Sequence, residues 1–149
     1  MIEYKKSTAV LVFNDRGEVL LQLRAANDDT FPSHWDFSAG GGIDEGEDEK
    51  TSIRRELSEE LGVEVEIEFM KKEHYKYPAW KPSTIRESDL YVYKAHHNGP
   101  FSPDPTEIEK VDFFTLERIK EMMESRIKFH PEFVLSWEGG IIAQAAKRF

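Results

Sequence analysis

At 149 residues the chain is the size of one domain, expected to span 1–149, and can bury roughly two thirds of its unfolded surface. A net charge of −9 opposes the backbone of duplex nucleic acid, so a phosphate-bearing partner has to be small and held through bound metal and local Arg or Lys. The absence of cysteine excludes disulfides, thiolate zinc sites and cysteine nucleophiles, and suits a reducing cytosol. No apolar run approaches the ~18 residues of a membrane span, and MIEYKKSTAV is not a secretory leader, so a cytoplasmic protein without membrane contact is expected.

Ser7 to Phe13 is β-branched and apolar, Asn14 to Gly17 supplies turn chemistry, and Val19 to Leu23 resumes the strand pattern, which predicts a hairpin. A polar loop from Arg24 to Thr30 leads to Trp35–Ala39, a strand that runs into Gly40-Gly41-Gly42. Those glycines permit positive φ and close approach of backbone to a ligand or metal. A helix is expected from near Asp48 to Gly62, with acidic residues in its first turn and glycine just past its end. Val63 to Phe69 alternates strictly and predicts a strand that continues through His74–Tyr77. Further strands are expected at Asp89–Ala95 and Val111–Phe114, and Thr115 caps a helix over Leu116–Ser125. The tail from Pro131 to Phe149 reads as two helical pieces broken at Gly139-Gly140.

The stretch GGIDEGEDEKTSIRRELSEELGV, Gly41 to Val63, carries the chemistry. Glu56, Glu59 and Glu60 stand at i, i+3 and i+4 and share one helical face, while Ile53, Leu57 and Leu61 make a separate apolar stripe. Burying the apolar stripe holds the acidic face at the rim of a cleft. Like charges so placed repel, and a hard divalent cation with oxygen ligands turns that repulsion into a binding site. A calcium loop of the EF-hand type is excluded, because its sixth and twelfth positions counted from Asp44 hold Glu49 and Arg55. A solvated acidic helix face is the plainer alternative.

Gly41, five residues, Glu47, seven residues, then Arg55-Glu56-Leu57-Ser58-Glu59-Glu60-Leu61-Gly62-Val63 resembles the Nudix box of the Nudix hydrolases. The resemblance implies an α/β fold, an α/β/α sandwich around a mixed β-sheet. It implies a Mg²⁺-dependent hydrolase, with Mn²⁺ as a possible substitute, that cleaves the pyrophosphate bond of a nucleoside diphosphate linked to another moiety by attack of water on phosphorus. Carried over by position, Glu56, Glu59 and Glu60 resemble the metal ligands. Glu56 or Glu59 also accepts the proton of the attacking water, Arg55 orients a glutamate by an ion pair, and Gly41 offers its carbonyl to the metal. Glu47 is expected to close the loop through backbone N–H groups or Arg55. FPSHWDFSAGG followed by GE is similar to the branch containing isopentenyl-diphosphate isomerases. Homodimers occur among such relatives, and no stretch here identifies an interface.

A carboxylate from outside the box is also implied. Glu87 and Asp89 point to one strand face and resemble the paired glutamates of the isomerase branch, and Glu87 is taken as the added metal ligand. Glu107 and Glu109 compete for that role. His74, Tyr75, Tyr77 and Trp80, with Lys71, Lys72, Lys76 and Lys81 around them, are either a base-stacking surface or an aromatic core with snorkelling lysines. Trp35 is expected in the core, and Arg24 and Arg86 are candidate phosphate forks or plain surface charges. The histidines show no metal-site spacing. An isomerase of isopentenyl diphosphate is disfavoured, since that branch uses an essential cysteine. A non-catalytic binding module is disfavoured because the box glutamates are all present.

Overall fold

The computed structural model describes residues 1–147. In chain order the elements are β1 (Ile2–Phe13), β2 (Val19–Arg24), β3 (Trp35–Asp36), β4 (Ala39–Gly42), α1 (Glu49–Leu61), β5 (Ile67–Pro78), β6 (Ile85–His96), β7 (Ile108–Phe114), α2 (Leu116–Glu124), α3 (Pro131–Glu138) and α4 (Ile141–Ala146). The strands form one mixed sheet in the order β3-β2-β1-β6-β5, with β4 also on β1 and β7 also on β2. β1 runs parallel to β6 over its whole length, from Ile2–Ile85 to Phe13–His96. The pairings of β1 with β2 and β4, and of β5 with β6, are antiparallel.

The unbroken apolar run of β1 reflects burial on both faces. Ala9, Leu11 and Phe13 join Phe37, Leu90 and Val92 under Ile119, Phe133, Ile141 and Ile142 of the C-terminal helices. Val10 and Val12 face the other way, with Tyr93 and Ala95, against Ile53, Leu57 and Leu61 of α1. The result is the α/β/α sandwich that the box implied. α1 starts and stops where its caps predict: Asp48 accepts a hydrogen bond from the Thr51 N–H at 2.7 Å, and Gly62 takes a left-handed φ of 67°.

Several boundaries differ from those the pattern suggests. β1 begins at Ile2 rather than Ser7 because β6 offers a full parallel ladder to its polar first half. The segment Trp35–Ala39 divides into β3 on β2 and β4 on β1, with the Ser38 side chain accepting from the Val12 N–H at 2.8 Å between them. Gly40, Gly41 and Gly42 lie in β4 with no positive φ, so their lack of side chains serves close approach and not a left-handed turn. Val63 to Glu66 alternates like a strand but makes no ladder. Val63 and Val65 instead pack beside α1, and pairing begins at Ile67. β6 and β7 begin at Ile85 and Ile108, earlier than expected. Of the C-terminal pieces, Arg148 and Phe149 lie outside the described residues.

The expected hairpin matters most for function. β1 and β2 share only the pairs Val12–Leu20 and Phe13–Val19. Beyond them β1 takes β4 as its neighbour, while β2 takes β3 and β7, so the two strands separate and leave space between their ladders.

Candidate active site

That space is a cavity of about 340 Å³. Ser7, Thr8 and Ala9 of β1, Gln22 of β2, Gly40 and Gly41 of β4, and Glu56 and Glu60 of α1 all line it. Glu60 is buried, and its Oε1 accepts from Gln22 Nε2 at 2.8 Å and from the Gly40 N–H at 3.4 Å. Burial, followed by its contact with Glu56, holds the Glu60 carboxyl well above the usual carboxylate range, against the opposing pull of Gln22. Gln22 could have been noticed as the polar interruption of an apolar strand, VLLQL. A Cβ at Gly41 would fall 2.7 Å from Glu56 Oε1. Only glycine lets the carboxylate of α1 sit directly on β4.

Arg55 ties the surrounding acids together. Its Nε donates to Glu47 Oε2 at 2.8 Å and its Nη1 to Glu56 Oε1 at 2.9 Å and Glu59 Oε2 at 3.2 Å, while Nη2 reaches Glu47 Oε1 at 3.1 Å. Glu47 also accepts from the Asp44 N–H at 3.1 Å, closing the loop before α1, and the Arg55 hydrogen bond holds its carboxyl below the usual range. Both roles considered for Glu47 are therefore filled at once. Glu59 differs from its neighbours: its side chain is 59% exposed and turned outward along Arg55, whereas Glu56 and Glu60 point inward. Among the described residues no three His, Asp or Glu side chains converge as they stand into a cage for an ion. The donor set still suits a hard divalent cation: Glu56 and Glu60 are in mutual contact, Glu59 is held by Arg55 on an exposed stem that can turn, and β4 presents bare backbone beside them.

Glu87 is not brought to this group. It lies on the same face of the sheet as α1 but farther along β6, opposite Tyr4 of β1, where Gly41 lies opposite Thr8. There its Oε2 lies 2.8 Å from His74 Nε2, while Asp89 Oδ1 lies 2.8 Å from His74 Nδ1 and Asp89 also accepts from the Tyr4 hydroxyl. Of the acids considered for that role, Glu107, just before β7, is the one that lines the cavity. Burial, then the carboxylates of Asp104, Glu56, Asp28 and Glu59, raise its pKa. Spacing alone could not choose between them, because the choice depends on β7 lying beside β2.

His74 titrates in a predictable way. The Asp89 hydrogen bond, aided by that to Glu87, raises its pKa above the ordinary 6.5. The pairing therefore contributes stability in full below the unfolded value and loses it as pH rises through the raised folded value. An NMR titration of the imidazole should show a midpoint above 6.5 that falls in Glu87→Gln. An unshifted midpoint in the variant would mean that the pair does not exist in solution.

The other candidates sort by strand face. Arg24 donates to Asp36 at 3.1 Å and to Thr30 and lies 3.3 Å from Asp28, so its fork is already engaged. Arg86 is paired with Glu3 at 3.4 Å. Trp35 is buried in the core. The aromatic cluster divides: His74 lies on the α1 side of the sheet, Tyr75 and Tyr77 lie on the α3 side, and Tyr77 lines the cavity with His130 and Glu132. No sequence pattern marked His130 or Glu132, which reach the cavity only because α3 packs over β5.

Residues 3–133 match the family model described as NUDIX domain. A Nudix hydrolase of Listeria innocua named as uncharacterised is 28% identical over 128 residues, covering 85% of this chain and 72% of that protein. An isopentenyl-diphosphate Delta-isomerase of Paenarthrobacter aurescens is 35% identical over 98 residues, 65% of this chain, which spans 53% of that protein's length. Among solved structures, DR0079 of Deinococcus radiodurans superposes with a TM-score of 0.74 at 19% identity, over 97% of this chain and 82% of that one. The NUDIX domain of Shewanella oneidensis NrtR, solved with ADP ribose, gives a TM-score of 0.71 at 19% identity, over 98% and 88%.

Proposed function

The chain belongs to the NUDIX domain family, and on that premise we propose that it is a Mg²⁺-dependent hydrolase that cleaves the pyrophosphate bond of a nucleoside diphosphate linked to another moiety. The observation that carries this reading is the buried Glu56–Glu60 pair, set on a side-chain-free strand at the wall of a cavity. Glu56, Glu59 and Glu60, with the Gly41 carbonyl and Glu107, would hold the metal. When bound, Mg²⁺ neutralises phosphoryl oxygens and makes a coordinated water more acidic. Gln22 and the Gly40 N–H fix Glu60, and Arg55 holds Glu56 and Glu59 at one guanidinium until they are needed. Glu59, with its exposed stem, is the group best able to carry a proton from the attacking water to solvent. The oxygen of that water joins phosphorus as the bridging P–O bond breaks. The NrtR domain solved with ADP ribose supports a ligand of the same general kind. A cytoplasmic location and a homodimer are part of the same proposal. Among the described residues no helix is long and apolar enough to cross a membrane.

The match to an isopentenyl-diphosphate Delta-isomerase favours a second reading, isomerisation of a C5 diphosphate. The absence of cysteine counts against it. The test is phosphate release, coupled to a pyrophosphatase or phosphatase, from a panel of nucleoside diphosphate derivatives with Mg²⁺, alongside double-bond migration in isopentenyl diphosphate. Release from one class of nucleotide derivative supports the hydrolase. Migration without any release supports the isomerase.

A further inference from the structure

The cavity has a second wall that the hydrolytic chemistry does not use. Tyr77 of β5 and His130 and Glu132 at the start of α3 line it, with Asp28, Asp36 and Arg24 beside them. Glu132 is buried and accepts from the Tyr77 hydroxyl through Oε2. An ionised carboxylate has about four lone-pair sites, and among the described residues no cation is paired with this one. Burial, and then the charge of Glu132, push the Tyr77 hydroxyl up against the weaker opposing pull of Arg86, so Tyr77 stays a neutral donor and brings no positive charge to the carboxylate. Asp28 and Asp36 share the single guanidinium of Arg24. Arg86, under Tyr77, is held by Glu3 and is not among the lining residues. This wall therefore carries more carboxylate than cation.

Its other component is aromatic. The rings of Tyr77 and His130 are 5.9 Å apart, and Phe31 backs both, at 6.4 and 4.7 Å. Aromatic faces beside a desolvated carboxylate are the chemistry that receives an organic cation. A neutral hydroxyl would make one hydrogen bond and leave the buried charge unpaired, and an anion would be repelled. The phosphate end has its own cation. Lys5 lies against the glycine strand, 3.1 Å from where a Gly42 Cβ would be, and lines the cavity with no ion-pair partner among the described residues.

We propose that the Tyr77–His130–Glu132 wall selects diphosphate derivatives in which the moiety beyond the phosphates carries a positively charged nitrogen, a primary or quaternary ammonium. This rests on the reading of the cavity as the substrate site, but it can be tested without turnover. Phosphoethanolamine and glycerol phosphate differ at the distal group and contain no anhydride to cleave. In calorimetric titrations with Mg²⁺ present, the wild-type protein should bind phosphoethanolamine about ten- to a hundredfold more tightly, the size of a charge-assisted hydrogen bond. Glu132→Gln should abolish that ratio. Tyr77→Phe breaks the same hydrogen bond but keeps the charge, and should preserve it. Equal binding of the two probes by wild type, a preference that survives Glu132→Gln, or its loss in both variants would each overturn the proposal, the last by showing a merely structural role. A preference that behaves as expected, together with no hydrolysis across the nucleotide panel, would leave this inference standing and remove the hydrolase reading. Hydrolysis that treats cytidine diphosphate ethanolamine and cytidine diphosphate glycerol alike would do the reverse.

Discussion

Glu60→Gln should lower turnover of an accepted nucleoside diphosphate derivative on the order of 10²–10⁴-fold, the range lost when a group acting at the reacting centre is removed. The fold should survive, because the local hydrogen bonds do. The new amide oxygen can still accept from Gln22 Nε2 and from the Gly40 N–H, and no volume is lost from the site. Burial and the neighbouring Glu56 already disfavour the charged form of Glu60, so the neutral amide removes a strain that the protein carries when no cation is bound. Melting of the metal-free variant should therefore be equal to or higher than that of the wild type, while activity collapses. The assay is initial-rate kinetics beside a thermal melt. Wild-type kcat would refute the assignment of this carboxylate to the metal, and a lower melting temperature would show that its role is structural.

Leu57→Ala should do the opposite. Leu57 is 1% exposed and packs among Val10, Val12, Ile53, Leu61 and Tyr93 between α1 and the sheet. Removing a fully buried leucine side chain costs about 2–5 kcal/mol, the spread depending on how far the cavity collapses. At about 2–4 °C per kcal/mol for a domain of this size, the midpoint should fall by roughly 5–20 °C. Urea unfolding gives the same quantity independently, as a lower midpoint at unchanged slope. Because Leu57 adjoins Glu56 but faces the other way, any loss of kcat at a temperature well below the midpoint should be small. An unchanged midpoint would mean that α1 does not turn Leu57 toward the sheet.

These two residues also show what could be read without coordinates. The stripe Ile53–Leu57–Leu61 and the offset of Glu56 and Glu60 follow from helical period alone, and both hold. The caps at Asp48 and Thr115 and the break at Gly139-Gly140 were equally legible, because each is decided within a few residues. Period did not reveal that Arg55 would draw Glu59 outward, since that depends on where Glu47 sits after its loop closes. The acid from outside the box was less accessible still. Glu87 and Glu107 are both acids near a strand, and only the pairing of β7 with β2, across more than eighty positions of chain, puts Glu107 at the cavity, while Glu87 stays at the other end of β6, bonded to His74. Glu132 belongs to the same class: its place follows from the packing of α3 over β5. Val63–Glu66 shows the converse limit, a strand pattern with no neighbour available to complete it.

The parallel union of β1 with β6 has a consequence for how the molecule comes into being. Ile2 meets Ile85 and Phe13 meets His96, so the central ladder closes only after a long stretch of polypeptide has been brought back on itself. Such distant pairings make for slow acquisition of structure, because the entropy of ring closure is lost before the contacts form. A chain still emerging from the ribosome carries its acidic helix early. The floor on which that helix rests includes Tyr93 and Ala95 of β6 and Ile108 of β7, and it is complete only once both strands have been synthesised.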